Sequence, residues 1–76
     1  MKAFVLCKFD SGLEQKALAK IRGIKGISDV HMTFGHWDAI LTAEADTVDK
    51  LSSLIVREIR AVQGVRDTET LVTTSL

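Results

Sequence analysis

Ile21-Arg22-Gly23-Ile24-Lys25-Gly26-Ile27-Ser28-Asp29-Val30 and Ile59-Arg60-Ala61-Val62-Gln63-Gly64-Val65-Arg66-Asp67-Thr68 are one phrase written twice. Ile, Arg, Gly and Asp recur at the same offsets, and Ile/Val pairs fill two more. Each phrase is preceded by a second echo, Ala3-Phe4-Val5-Leu6-Cys7-Lys8-Phe9-Asp10 against Ala39-Ile40-Leu41-Thr42-Ala43-Glu44-Ala45-Asp46. The chain therefore reads as two βαβ halves in tandem, the split-βαβ arrangement.

Outward from the repeat, each half gives the same elements. Residues 3–9 are apolar at nearly every position, as in a strand covered on both faces. Ser11 and Glu14 have capping-box spacing. Leu13, Ala17, Ile21 and Ile24 recur at helical spacing, with Leu18 beside them, which predicts a helix near 12–23 that Gly23 ends. Val30, Met32 and Phe34 alternate with Asp29, His31 and Thr33, a strand with one buried face. Gly35-His36-Trp37-Asp38 interrupts it as a turn, and residues 39–45 form a third strand antiparallel to the second. Asp46 or Thr47 caps a second helix with the buried stripe Val48, Leu51, Ile55, Ile59 and Val62. After Gly64, residues 65–74 make a Thr-rich last strand. The expected fold is α+β and ferredoxin-like, βαββαβ, in one domain over 1–76. Four antiparallel strands form the sheet, the first and third central, with two helices on one face.

That fold leaves the other face of the sheet open. On the first strand both sides are apolar, Ala3, Val5, Cys7 and Phe9 on one and Phe4 and Leu6 on the other. The third strand carries small or apolar residues on both sides as well: Ala39, Leu41 and Ala43 on one, Ile40 on the other. An apolar sheet face is a contact surface, and the expected cover is a second copy, sheet on sheet about a two-fold axis.

The totals narrow the function. Lys plus Arg number 10, Asp plus Glu number 10, so the formal net charge is zero and the basic excess of a domain built to grip nucleic acid is missing. No apolar run approaches the ~20 residues that cross a bilayer, and the short apolar stretch at the start is no signal sequence. A cytoplasmic protein with a reduced thiol is expected. A chain this short is marginal as a lone domain, and a single Cys gives it no internal disulfide, so self-association is the remaining source of burial.

No catalytic residue, metal site or cofactor is expected. His31 stands on the polar side of a strand and His36 in a turn, and no Ser or Cys nucleophile has a base and an orienting acid beside it. Cys7 lies within an apolar strand, where a thiol packs as a small hydrophobe. His31, His36 and Asp38 have no recognisable ligand spacing, and no glycine-rich phosphate loop is present. The informative tetrapeptide is Gly35-His36-Trp37-Asp38, with the only Trp of the chain. Asp38 can accept backbone N–H groups and hold the turn, or receive an ammonium from a ligand. Thr68, Thr70, Val72 and Thr74 share one face of the last strand, with Glu69 and Leu71 on the other. The threonines express β-propensity or offer hydroxyls to a carboxylate.

At these residues the chain resembles the effector-binding domain of the Lrp/AsnC family, the RAM domain. The likeness runs through Ala3-Phe4-Val5-Leu6, Ile24 to Val30, Gly35-His36-Trp37-Asp38 in place of a Gly-x-Tyr-Asp turn, and Gly64-Val65-Arg66-Asp67-Thr68-Glu69-Thr70-Leu71-Val72. It implies sheet-to-sheet homodimers that assemble into rings, commonly octamers, with a free amino acid in crevices between neighbouring dimers. Carried over by position, Gly35, His36, Trp37, Asp38, Thr68 and Thr70 line the crevice, and Glu58 near the end of the second helix is a further candidate. Full members also carry a DNA-reading helix-turn-helix. This chain starts at the first strand, as a stand-alone effector domain would. The resemblance then implies influence on transcription by co-assembly with full-length regulators, without direct nucleic-acid or membrane contact. Two other readings share the fold: an enzyme of the dimeric α+β-barrel, small-monooxygenase type, and a purely structural assembly domain. An ACT-like amino-acid-binding module, which associates sheet edge to sheet edge, is a third.

Overall fold

The computed structural model describes residues 1–74. Strands β1 (Lys2–Phe9), β2 (Ile27–Met32), β3 (Ala39–Glu44) and β4 (Val65–Val72) form one sheet in the order β2-β3-β1-β4, with helix α1 (Glu14–Arg22) between β1 and β2. The second helix begins as α2 (Val48–Ser53) and continues as a π-helical segment, Leu54–Ile59. All three pairings are antiparallel, so β1 and β3 are central as the repeat predicts.

Register decides what each side chain faces. Val5 pairs with Leu41 on one side and Thr70 on the other, and Cys7 with Ala39 and Thr68. Successive residues alternate faces, so Ala3, Val5, Cys7 and Phe9 of β1 and Ala39, Leu41 and Ala43 of β3 all turn toward the helices. There they meet Ala17, Leu18, Ile21, Leu51, Ile55 and Ile59 in one buried core. The other face carries Phe4, Leu6, Ile40 and Leu71 at its centre, bordered by Lys2, Lys8, Asp29, Glu44, Asp67 and Glu69. As the alternation predicts, β3 sends Ala39, Leu41 and Ala43 to the core, and on the open face it adds Ile40 beside Thr42 and Glu44.

Several local expectations change. Phe34 is not in the buried row of β2: the strand ends at Met32 and Phe34 stands fully in solvent. Ser11 and Glu14 do not form a capping box; the N-cap of α1 is Leu13, with no side-chain cap. Glu14 Oε1 instead accepts the Gly12 N–H at 2.8 Å, which closes the turn one residue later. In the second helix Thr47 is the cap, its Oγ1 accepting the Lys50 N–H at 3.1 Å. Val48 leaves the expected stripe and is half exposed, because the helix turns only Leu51, Ile55 and Ile59 inward. β4 stops at Val72, so Thr74 lies beyond the row.

The π-helical segment has a cause in the repeat. Ala3 matches Ala39 at an offset of 36, while Ile21 matches Ile59 at an offset of 38. The second half therefore holds two more residues between equivalent points. An i→i+5 turn, marked by the Arg60 N–H donating to Ile55 O at 2.9 Å, uses more residues per turn than the 3.6 of an α-helix and absorbs them. The wider turn also keeps residues four apart in line, so Leu51, Ile55 and Ile59 stay on the core.

Candidate functional site

The turn between β2 and β3 is closed from within. Thr33 N–H donates to Asp38 O at 2.9 Å, and Thr33 Oγ1 donates to Trp37 O at 2.7 Å. Asp38 fastens it to β1: its N–H donates to Cys7 O at 2.8 Å, and its Oδ2 accepts the Phe9 N–H at 2.9 Å. One carboxylate oxygen is thus structural, as the capping reading requires. Trp37 is half-buried, and the His36 ring stands edge-on to it with centroids 5.2 Å apart. Gly35 and His36 are exposed at the tip beside Phe34. The result is a pre-formed aromatic projection with an acid at its base.

Thr68 and Thr70 lie elsewhere. Their register with Cys7 and Val5 turns both toward the helix side, where they floor a groove of about 350 Å³ under the second helix. Ser52, Ile55, Val56 and Arg60 form its wall, and Val72 ends its floor. Among the described residues neither threonine hydroxyl has a protein hydrogen-bond partner. A smaller recess of about 110 Å³, lined by Arg60, Arg66, Asp67 and Thr68 with Val65, opens at the start of β4. Glu58 belongs to neither place. It is exposed and lines a shallow groove of about 740 Å³ between the two helices, beside Lys20, Lys25 and Arg57.

The predicted residues therefore fall into three places within one chain. Cys7 pairs with Ala39, next to Asp38, on one side and with Thr68 on the other. Two strand spacings, about 10 Å, separate the turn from the threonines, with β1 filling the gap. Sequence reasoning missed Arg60 and Arg66; the signals were the two extra residues of the second half and the Arg that replaces Ser28 in the second phrase.

Among the described residues no three His, Cys, Asp or Glu side chains gather as metal ligands. Cys7 is fully buried, and burial pushes its thiol up from 9.0 to about 11, so it stays protonated and unreactive near neutrality. No helix among the described residues is long and apolar enough to cross a membrane.

Comparison with known proteins agrees with the fold. A sequence model of the Lrp/AsnC ligand binding domain matches residues 2–75. An uncharacterized HTH-type transcriptional regulator of Pyrococcus furiosus is 37% identical over 73 residues, which cover 92% of this chain and 49% of the regulator. The chain thus spans about half the length of that relative. Among solved structures, FFRP-DM1 superposes with a TM-score of 0.91 at 25% identity, over 96% of this chain and 97% of the other. The transcriptional regulator of Neisseria meningitidis solved as an L-Met complex superposes with a TM-score of 0.90 at 16% identity, over 97% of this chain and 49% of that one. By the match along nearly its whole length, the chain belongs to the Lrp/AsnC family, as its ligand-binding domain.

Proposed function

We propose that this domain is a non-enzymatic sensor of a free amino acid, which binds between copies of the chain and alters how they assemble. The observation that carries the reading is the separation of the two polar clusters. The turn at Gly35–Asp38 stands on one side of β1, and Thr68 and Thr70 floor the groove under the second helix on the other, so a small ligand touches both only where two copies meet. Asp38 takes the ammonium by a charge-assisted bond. Backbone N–H groups at the exposed turn take the α-carboxylate, and Trp37 supplies apolar wall. The L-Met complex of the Neisseria meningitidis regulator supports an amino acid as the ligand class.

The assembly follows from the sheet. Phe4, Leu6, Ile40 and Leu71 form an apolar centre inside a charged border, which suits a face-to-face homodimer. Dimers then join through the turns and β4 grooves into a ring, with an octamer expected. Ligand binding and ring formation are linked, because a ligand that prefers one assembly stabilises it. The domain acts in the cytoplasm and reaches DNA by co-assembling with full-length Lrp/AsnC regulators. Isothermal titration with a panel of amino acids, run beside light scattering on the same samples, tests this. Heat of binding with a shift in particle mass is expected. A monomer that takes up no amino acid overturns it.

A further inference from the structure

Two irregularities of the backbone converge on the first turn of β4. The π-helical segment ends at Arg60, which lines both the 350 Å³ groove and the 110 Å³ recess. The pairing of β1 with β4 shifts register between Lys8 and Phe9: Lys8 pairs with Asp67 and Phe9 with Val65, which leaves Arg66 as the extra residue of a bulge. Bulges re-aim side chains, and this one brings Arg66 to the same recess as Arg60 and Thr68. Among the described residues neither arginine is in an ion pair. The one acid on the recess, Asp67, accepts the Thr68 N–H through Oδ1 at 2.9 Å and offsets one of the two positive charges, which leaves the recess net positive. Two guanidiniums on one small recess repel each other, and an oxyanion between them relieves the repulsion with forked hydrogen bonds. The hydroxyls of Thr68 and Thr70 continue that polar floor into the groove.

We propose that Arg60, Arg66 and Thr68 form a carboxylate pocket that selects dicarboxylic amino acids as the effector. The inference rests on the amino-acid reading above. The turn of one copy holds the ammonium and α-carboxylate, and the recess of the next copy holds the side-chain carboxylate. An amide of equal shape would leave the two guanidiniums uncompensated.

The test is titration of the intact chain with L-glutamate, L-aspartate, L-glutamine, L-leucine and glutarate, repeated on Arg60→Gln, Arg66→Gln and Arg60→Lys. Charge-assisted pairing predicts that glutamate binds about ten- to hundredfold more tightly than glutamine. Either Gln variant should lower that ratio severalfold, by weakening glutamate binding, and Arg60→Lys should keep most of it. Both arginines are exposed, so the variants should fold, which circular dichroism checks. Glutarate binding that needs the arginines, with no amino acid bound, keeps the pocket and removes the amino-acid reading. Leucine or glutamine binding as well as glutamate keeps the amino-acid reading and overturns the pocket. A glutamate preference that survives both Gln variants, or no binding of any probe, also overturns it.

Discussion

The two βαβ halves of this molecule agree at their buried isoleucines and turn glycines and differ along the groove between the second helix and β4. Ile21 and Ile59, at matched positions, are both fully buried. Gly26 and Gly64 have φ of +102° and +101°, and each offers its carbonyl to the opposite half, to the N–H of Glu44 and of Asp10. Both outer strands shift register at the same point of the repeat, at Ser28 and at Arg66. Against this shared frame, α1 is regular while the second helix widens into a π-helical segment. Val30 and Met32, on the helix side of β2, become Thr68 and Thr70 on β4, and Ser28 becomes Arg66. The repeated scaffold keeps its supports and changes its chemistry on one edge, the edge that holds the pocket proposed above.

Removing the paired isoleucines tests the equivalence most severely. Ile21→Ala and Ile59→Ala should each cost about 2–5 kcal/mol, the range for truncating a buried Ile. Urea unfolding midpoints should fall by similar amounts. A cost for Ile59→Ala under half that of Ile21→Ala would mean that the π-helical segment collapses into the space, and that the halves are not mechanically equal.

The paired glycines should be less symmetric. A Cβ at Gly64 would stand 2.9 Å from Leu13 Cβ and 3.3 Å from Leu13 O, whereas one at Gly26 meets the mobile end of Leu54 at 3.0 Å. Both substitutions force a side chain into left-handed backbone, at about 1–2 kcal/mol. Gly64→Ala adds overpacking against a neighbour that cannot swing away, for a total of about 3 kcal/mol. Gly26→Ala should cost about half of that. Equal losses in thermal denaturation would show that Leu13 yields as readily as Leu54.

These comparisons also show what the sequence could and could not disclose. Strand order was legible because the repeat was, and the core residues followed from alternation on β1 and β3. The end of β2 was misread because Phe34 continues the apolar alternation, although the chain turns at Thr33, whose N–H and hydroxyl both bond back across the turn. The structural part of Asp38 was one of its two expected roles. The grouping of the candidates was not legible: which way Thr68 and Thr70 face depends on register with Cys7 and Val5, a non-local property. Glu58 was placed by family position and lands between the helices instead. Arg60 and Arg66 were hidden because a π turn and a bulge each re-aim a side chain in a way periodicity cannot express.

A chemical difference at matched buried positions gives a pH test. Cys7 stands where the second half has Ala43, and both are fully buried. With its thiol pushed up to about 11 by burial, the folded protein keeps the proton that the unfolded chain releases from pH 9.0 upward. The stabilisation is complete below pH 9 and is lost as pH rises from there through 11, by about 3 kcal/mol over that interval. Cys7→Ala should cost about 1 kcal/mol at neutral pH and flatten the alkaline fall in midpoint relative to the parent. Parallel alkaline profiles for the two proteins would show that the thiol ionises equally in both states.

The smallest test concerns two hydroxyls at one repeat position. Ser11 and Thr47 match at the same offset of 36 as the strands before them, and both stand where a helix is about to start. Only Thr47 acts as a cap, through its bond from the Lys50 N–H. At the other start, Gly12 intervenes, Leu13 becomes the N-cap, and Glu14 closes the turn by accepting from Gly12. Thr47→Ala should therefore lower stability by about 1 kcal/mol, and Ser11→Ala by no more than a few tenths. Replacing Glu14 with Ala should exceed the Ser11 effect, because the carboxylate and not the hydroxyl ties that turn. Equal losses at Ser11 and Thr47 would restore the symmetric capping that the sequence suggests and the geometry denies. The expected inequality would show that a repeat can preserve a residue type after the bond that justified it has moved to a neighbour.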